Sequence, residues 1–259
     1  MNAHSPAEEF PPLALLAGGM ATRLGALTAQ VPKSLMPVAG EPFIAHQLRL
    51  VACEGVRDIV ICCGHLGEQI EKFVGDGSRF ACRVRYSSDG PTLLGTGGAI
   101  RRALPLLGPR FWVMYGDSYL PTPFAPVLAA FQISHQPALM TVFANQKRWD
   151  TSNVHFANGR IMRYDKRNPQ PEMQYVDYGL GLYSAGIFHR WPPQTTFDLC
   201  EVQRQLVEQG TMAGYEVADR FYEIGSVSGL EETNSYLAAR RSTAPPVQPP
   251  PAHVSGVPA

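Results

Sequence analysis

The sequence predicts an α/β fold, a mainly parallel twisted sheet with helices on both faces, plus a small β-rich part. Three observations carry this. Residues 13–17, 58–64 and 111–117 are short apolar runs without polar alternation, as strands buried on both faces must be. Helical patterns lie between them, which makes the runs successive βαβ units. Glycines and charged residues gather just after the runs, where open parallel sheets bind their ligands.

Composition sets the outer limits. The 259 residues suffice for one large domain, and 45% apolar with 17% charged residues describes a folded, soluble chain. Lys+Arg and Asp+Glu are both 22, so no strong field favours nucleic acid or an anionic membrane. Residues 1–9 lack a basic segment followed by an apolar one, and no apolar run is long enough to span a bilayer. The five cysteines include no C-x-x-C pair, which fits reduced thiols in a cytoplasmic protein.

In chain order, residues 1–12 are expected to form a loose leader. A strand over 13–17 then empties into a loop holding Gly18, Gly19, Thr22, Arg23 and Lys33. Such a loop can wrap phosphates: glycines let backbone N–H groups turn inward, and the cations neutralise the anion. Pro32 biases Val31 away from helix, so Lys33 is expected on extended chain. Pro42 opens a helix whose spacing runs through Phe43, Ile44, Gln47, Leu48, Val51 and Ala52 and stops at Gly55. Strand 58–64, helix 65–74 and strand 83–87 follow. Asp89 begins a Gly-rich loop that passes Gly95 and Thr96 and starts a helix at Ala99. The run 111–117 ends in Gly116-Asp117, a position that suits either a ligand carboxylate or a turn aspartate. A helix over 124–135 and a strand over 139–144 complete this half.

From about residue 145 the texture changes. Asn158-Gly159 between two alternating runs predicts a hairpin over 154–164. Asp165-Lys166 at its end reads as a site pair or a solvated hairpin end. A strand follows over 175–188, a helix over 197–209, a strand-like segment over 215–225 and a closing helix over 227–241. Residues 242–259 carry six prolines and are expected to be disordered. A P-loop is excluded, because no Gly-Lys pair occurs, and Gly18, Gly19 and Gly25 do not fit G-x-G-x-x-G. The latter disfavours a nicotinamide-dependent dehydrogenase.

Several of these segments resemble the sugar-1-phosphate nucleotidyltransferase family. Gly18-Gly19-Met20-Ala21-Thr22-Arg23-Leu24 and Pro32-Lys33-Ser34-Leu35 resemble its G-G-x-G-T-R-L and P-K-[SP]-[LM] elements, with Ala21 replacing the usual glycine. Leu94-Gly95-Thr96-Gly97-Gly98-Ala99 resembles the motif that borders the nucleobase. Asp165-Lys166-Arg167 stands where the family often has E-K-P. The segment 215–225 resembles its W-x-D-I-G element, with Glu223 in place of aspartate.

The resemblance covers about residues 13–235 and implies a Rossmann-like, glycosyltransferase-A-type nucleotidyltransferase fold. It divides the chain into a nucleotide-binding half (13–144) and a sugar-phosphate-binding half (145–241). No hexapeptide repeats are present, so the β-helix appended in some relatives is not expected. The implied nucleotide site is Leu16, Ala17, Gly18, Gly19, Met20, Ala21, Thr22, Asp89, Gly95, Thr96 and Gly116. The implied sugar-phosphate site is Asp165, Lys166, Asp177 and Gly179, with Asp177 bonding sugar hydroxyls. Arg23 and Lys33 are implied to act on the triphosphate and Lys166 on the sugar phosphate. Asp117 and Glu223 are implied to hold Mg2+.

The implied reaction joins a nucleoside triphosphate and a sugar 1-phosphate into an NDP-sugar and releases pyrophosphate. Residues 173–180 and the short length look most like the heptose- and mannose-1-phosphate guanylyltransferases, which serve surface polysaccharide synthesis. Uridylyl- and thymidylyltransferases come next. An inactive nucleotide-sensing subunit is the rival of another class, and intact Arg23, Lys33 and Asp117 count against it. A homodimer stays open.

Overall fold

The first apolar run forms β1 (Leu13–Leu16), and all four residues are buried. In this computed structural model, which describes residues 10–19 and 30–243, β1 lies inside a nine-stranded sheet. The elements that follow are β2 (Pro37–Val38), β3 (Glu41–Pro42), α1 (Phe43–Cys53), β4 (Asp58–Cys63), α2 (Gly67–Val74), β5 (Arg83–Ser88), α3 (Gly95–Leu107), β6 (Arg110–Tyr115), β7 (Ser118–Tyr119), α4 (Phe124–Ser134) and β8 (Ala138–Phe143). Then come β9 (Val154–Ala157), β10 (Arg160–Tyr164), β11 (Val176–Ser184), α5 (Leu199–Glu208), β12 (Met212–Val217), β13 (Tyr222–Glu223) and α6 (Val227–Thr243).

The sheet order is β5-β4-β1-β6-β11-β8-β12-β10-β9. Strands β5, β4, β1 and β6 are parallel, and β12 is parallel to β8. Strand β11 runs antiparallel to both β6 and β8, and β10 antiparallel to β12 and β9. The period-2 geometry of β1 divides its side chains between two cores. Leu13 and Leu15 pack with Ile44, Leu48 and Val51 of α1, Ile70 of α2 and Val127 of α4. Ala14 and Leu16 face the other way, toward Ile100, Ala103 and Leu107 of α3 and Val202 and Leu206 of α5. A smaller cluster of Met36, Val38, Phe43, Tyr119, Ile224 and Leu237 ties β2, α1, β7, β13 and α6 together.

The α/β alternation and the helical layers are as the sequence predicts. Asn158 and Gly159 both have positive φ, as a two-residue hairpin turn requires. Helix α3 begins at Gly95 rather than Ala99, because the Phe197 carbonyl accepts the Gly97 and Gly98 N–H groups and caps its first turn. Lys33 opens a 3-10 turn (Lys33–Leu35) instead of lying on extended chain, while Pro32 before it is extended. The leader and tail fall largely on residues 1–9 and 244–259, outside the described residues. Its last residues, 10–12, are not loose. Phe10 stacks on Trp112, with ring centroids 6.5 Å apart, and the Trp112 N–H donates to the Pro12 carbonyl at 2.8 Å.

Trp112 is fully buried, so the Phe10 ring covers core. Phe10→Ala should therefore cost about 1–3 kcal/mol through lost burial and ring contact. The expected result is a lower urea midpoint at unchanged m-value.

Candidate active site

The site forms where β1, β4 and β6 end side by side. The Ala17 N–H donates to Cys62 O at 2.9 Å and the Gly116 N–H to Leu16 O at 3.0 Å, so the chains leave the sheet in contact. Gly18 permits this, since a β-carbon there would lie 2.8 Å from the Gly64 nitrogen. The result is a cleft lined by Leu16, Ala17, Gly18, Gly19, Asp89, Gly95, Thr96 and Gly116, with Lys33 and Asp117 also in its wall. These are the eight expected nucleotide residues that fall among the described ones. Met20, Ala21, Thr22 and Arg23 lie outside the described residues.

Asp89 is 7% exposed. Its Oδ2 accepts the Leu94 N–H at 3.1 Å, while Oδ1 is buried without a hydrogen-bond partner. Burial raises its carboxyl above the usual carboxylate range, and the Leu94 bond and Arg102 only partly offset this. Asp89 thus lines the cleft with one carboxylate oxygen bonded to the backbone and the other buried without a donor. The Thr96 hydroxyl accepts the Leu199 N–H at 2.8 Å and so joins α3 to α5, with its own O–H still able to donate.

Charge concentrates at the far end of the cleft. Lys33 Nζ lies 2.8 Å from Asp117 Oδ2. Strand β13 pairs antiparallel with β7, setting Glu223 opposite Ser118, and the Ile224 N–H donates to the Asp117 carbonyl at 3.0 Å. This ribbon carries Glu223 across more than a hundred residues of sequence to Asp117. Glu223 accepts from the Ser226 hydroxyl at 2.6 Å and from the Gly225 N–H. Gly225 leaves the three charges room to converge: a β-carbon on it would lie 2.6 Å from Glu223 Oε2, 3.0 Å from Lys33 Nζ and 3.7 Å from Asp117 Oδ2. Among the described residues, no group of three or more His, Cys, Asp and Glu side chains comes together as a metal cluster.

A second cavity continues past the same Lys33, Tyr115 and Asp117 and is lined by Trp149, Asp150, Lys166, Asp177, Tyr178, Gly179, Phe221 and Glu223. A break in register between β11 and β8, spanning Asp177 to Gly181, shapes its wall. Lys166 Nζ lies 3.3 Å from Asp177 Oδ2. Burial works against the ammonium, but Tyr115 and Asp177 beside it more than offset that and hold its pKa above the ordinary lysine value. The Asp177 side chain is only 2% exposed and is spent internally: Oδ1 accepts the Gly179 N–H, and Oδ2 faces Lys166, Tyr164 and Gln203. It is thus a counter-ion for Lys166 in the wall of the second cavity. Asp165 turns away and caps its own turn, accepting the Arg167 and Asn168 N–H groups at 2.8 and 2.9 Å; it lines neither cavity. Trp149, Asp150, Asp198 and Ser226 line the cavities without a pattern that marked them.

A family model described as Nucleotidyl transferase matches residues 14–240. The N-acetylmuramate alpha-1-phosphate uridylyltransferase of Neisseria meningitidis serogroup B is 30% identical over 231 residues, covering 87% of this chain and 97% of that one. The glucose-1-phosphate thymidylyltransferase of Streptomyces griseus is 24% identical over 85% of this chain, which spans only 64% of that relative. Among solved structures, a putative glucose-1-phosphate thymidylyltransferase from Bacillus anthracis superposes with a TM-score of 0.77 at 21% identity, covering 88% of this chain and 95% of that one. The chain belongs to the nucleotidyl transferase family. Within it, the chain stands among the sugar-1-phosphate nucleotidyltransferases, and it is an enzyme of that group.

Gly225→Ala tests the meeting of charges. Its methyl group would displace the Glu223 carboxylate or the Lys33 ammonium, while nothing strains the backbone. Turnover should fall by about 10²-fold or more, as when a charge-stabilising group is lost, with the melting temperature close to wild type.

Proposed function

We propose that the enzyme forms an NDP-sugar and pyrophosphate from a nucleoside triphosphate and a sugar 1-phosphate, with GTP and a manno-configured heptose or hexose 1-phosphate as its pair. The observation that carries this reading is the shared wall. Lys33 and Asp117 line both cavities, so a triphosphate in the first and a sugar phosphate in the second would meet beside them.

The chemistry asks the protein for position and charge. A sugar phosphate is already an anion at neutral pH, so its oxygen needs no general base to attack the α-phosphorus. Lys33 would neutralise the α-phosphate and Lys166, held by Asp177, the sugar phosphate. Arg23 would hold the leaving pyrophosphate. Asp117 and Glu223 would hold Mg2+; two carboxylates suit an ion that takes its remaining oxygens from water and phosphates. When bound, the ion would neutralise charge developing on those phosphates.

Asp89 supports a base that presents N–H groups. Guanine offers two on one edge, and one oxygen of the carboxylate is still unspent. The manno configuration rests on the resemblance at residues 173–180. A second reading, UTP with an N-acetylmuramate-type sugar 1-phosphate, is favoured by the Neisseria relative, which this chain matches over nearly its whole length.

Pyrophosphate release should be measured with ATP, GTP, CTP, UTP and dTTP against a panel of sugar 1-phosphates. The fastest pair should be GTP with a manno-configured sugar; UTP with N-acetylmuramate 1-phosphate as the fastest would transfer the assignment to the second reading. Release by no pair would overturn both. Excess chelator should abolish activity and Mg2+ restore it, and full activity in chelator would sink the metal assignment. Asp89→Asn should raise the nucleotide KM about tenfold or more with kcat little changed, the cost of a charged hydrogen bond used for binding alone. Because the Asp89 carboxyl titrates above its usual range, the wild-type nucleotide KM should rise as the pH is lowered toward that carboxyl's pKa. The variant should lack that limb.

A further inference from the structure

We infer that Gln47 is a positioning residue for Asp117: its side-chain amide locks the turn that aims the Asp117 carboxylate. The inference rests on the role given to Asp117 above. Gln47 sits in the middle of α1, is 0% exposed, and packs beside Ile44 and Leu48. The helical spacing alone made it one more member of an apolar face. Its amide nitrogen nevertheless donates to two backbone carbonyls, Tyr115 O at 3.0 Å and Ser118 O at 2.8 Å. These two carbonyls bracket Gly116-Asp117.

The bonds have a physical reason. Tyr115 is the last residue of β6 and Ser118 the first of β7; the Asp117 carbonyl between them accepts the Ile224 N–H of the ribbon, and the Tyr115 and Ser118 carbonyls take the Gln47 amide. Leaving them buried and unpaired would be costly, and one amide with two N–H groups answers both. The amide orientation is fixed by the same contacts, because a flip would set its oxygen against two carbonyl oxygens. Oε1 has no hydrogen-bond partner, so the side chain accepts one unsatisfied atom in exchange for two donated bonds. A side chain serving only to fill the core would not carry this cost, since Met fills the same volume without a polar atom.

With the turn locked, Asp117 leaves β6 in one direction, toward Lys33 and the ribbon that carries Glu223. Helix α1 thus supports the charged centre from behind without touching substrate.

The test compares full-length wild type, Gln47→Met and, as a helix-matched control, Leu48→Ala. In Gln47→Met, kcat should fall about 10²-fold, the loss expected when a reacting geometry shifts by about 1 Å. The half-saturating Mg2+ concentration should rise, while the nucleotide KM stays within about threefold. Leu48→Ala should lower the melting temperature without shifting either kinetic quantity. Amide hydrogen exchange gives a readout independent of activity: it should speed up in a peptide spanning 115–120 in Gln47→Met only. If Gln47→Met does not fold, Gln47→Asn, which keeps the amide but shortens its reach, should show a milder loss in the same direction. A kcat within threefold of wild type overturns the proposal, whatever the exchange does. If the wild type transfers no nucleotide, the functional reading has failed separately and exchange decides: unchanged exchange at 115–120 overturns the clamp.

Discussion

The contact between Lys33 and Asp117 is the point on which the rest of the site depends. It joins the segment after β1 to the end of β6 and stands where the two cavities meet. As a stabilising interaction it counts for little, because both side chains are partly solvated, at 17% and 40% exposure, and such pairs contribute about 0–1 kcal/mol. Its importance is geometric. A cation and a carboxylate meet beside strand ends drawn together by close glycine contacts, and the β7–β13 ribbon brings Glu223 to the same place.

Around that contact the two cavities differ in how they treat charge. In the first, one oxygen of the buried Asp89 carboxylate has no donor. In the second, Asp177 is saturated by Lys166, Tyr164, Gln203 and the Gly179 N–H. The ammonium of Lys166 therefore stays charged and steady while its counter-ion is withdrawn from solvent. One cavity wall thus holds an unpartnered buried carboxylate oxygen and the other a carboxylate already paired with an ammonium.

The fold was legible because buried parallel strands leave unalternated apolar runs, and β1, β4 and β6 all did so. Asp117 was legible for the same reason: a carboxylate directly after such a run has few places to go. Glu223 could be read only through the family pattern, since the short ribbon that delivers it has no periodicity of its own. Asp165 and Asp177 show what a motif leaves unsaid. The chemistry of a carboxylate is visible in sequence, but which donors surround it depends on contacts as distant as Tyr164 and Gln203. Gln47 was hidden in a different way, because its 3.6-residue spacing matches that of the core side chains beside it. The insertion of β11 between β6 and β8 left no local trace, since strand order is set by long-range pairing.

That insertion bears on how such an enzyme can change its substrates. The strand from 176–184 is hydrogen-bonded on one side to β6 and on the other to β8, so the later part of the chain is woven into the earlier part. A chimera spliced near residue 144 would bring together two fragments that must each complete the other's sheet. Recombination at the boundary suggested by texture would therefore break three pairings of that sheet at once, β11 with β6, β11 with β8 and β12 with β8. What hangs from the sheet, such as the segment carrying Trp149 and Asp150 in the wall of the second cavity, can change without touching these pairings.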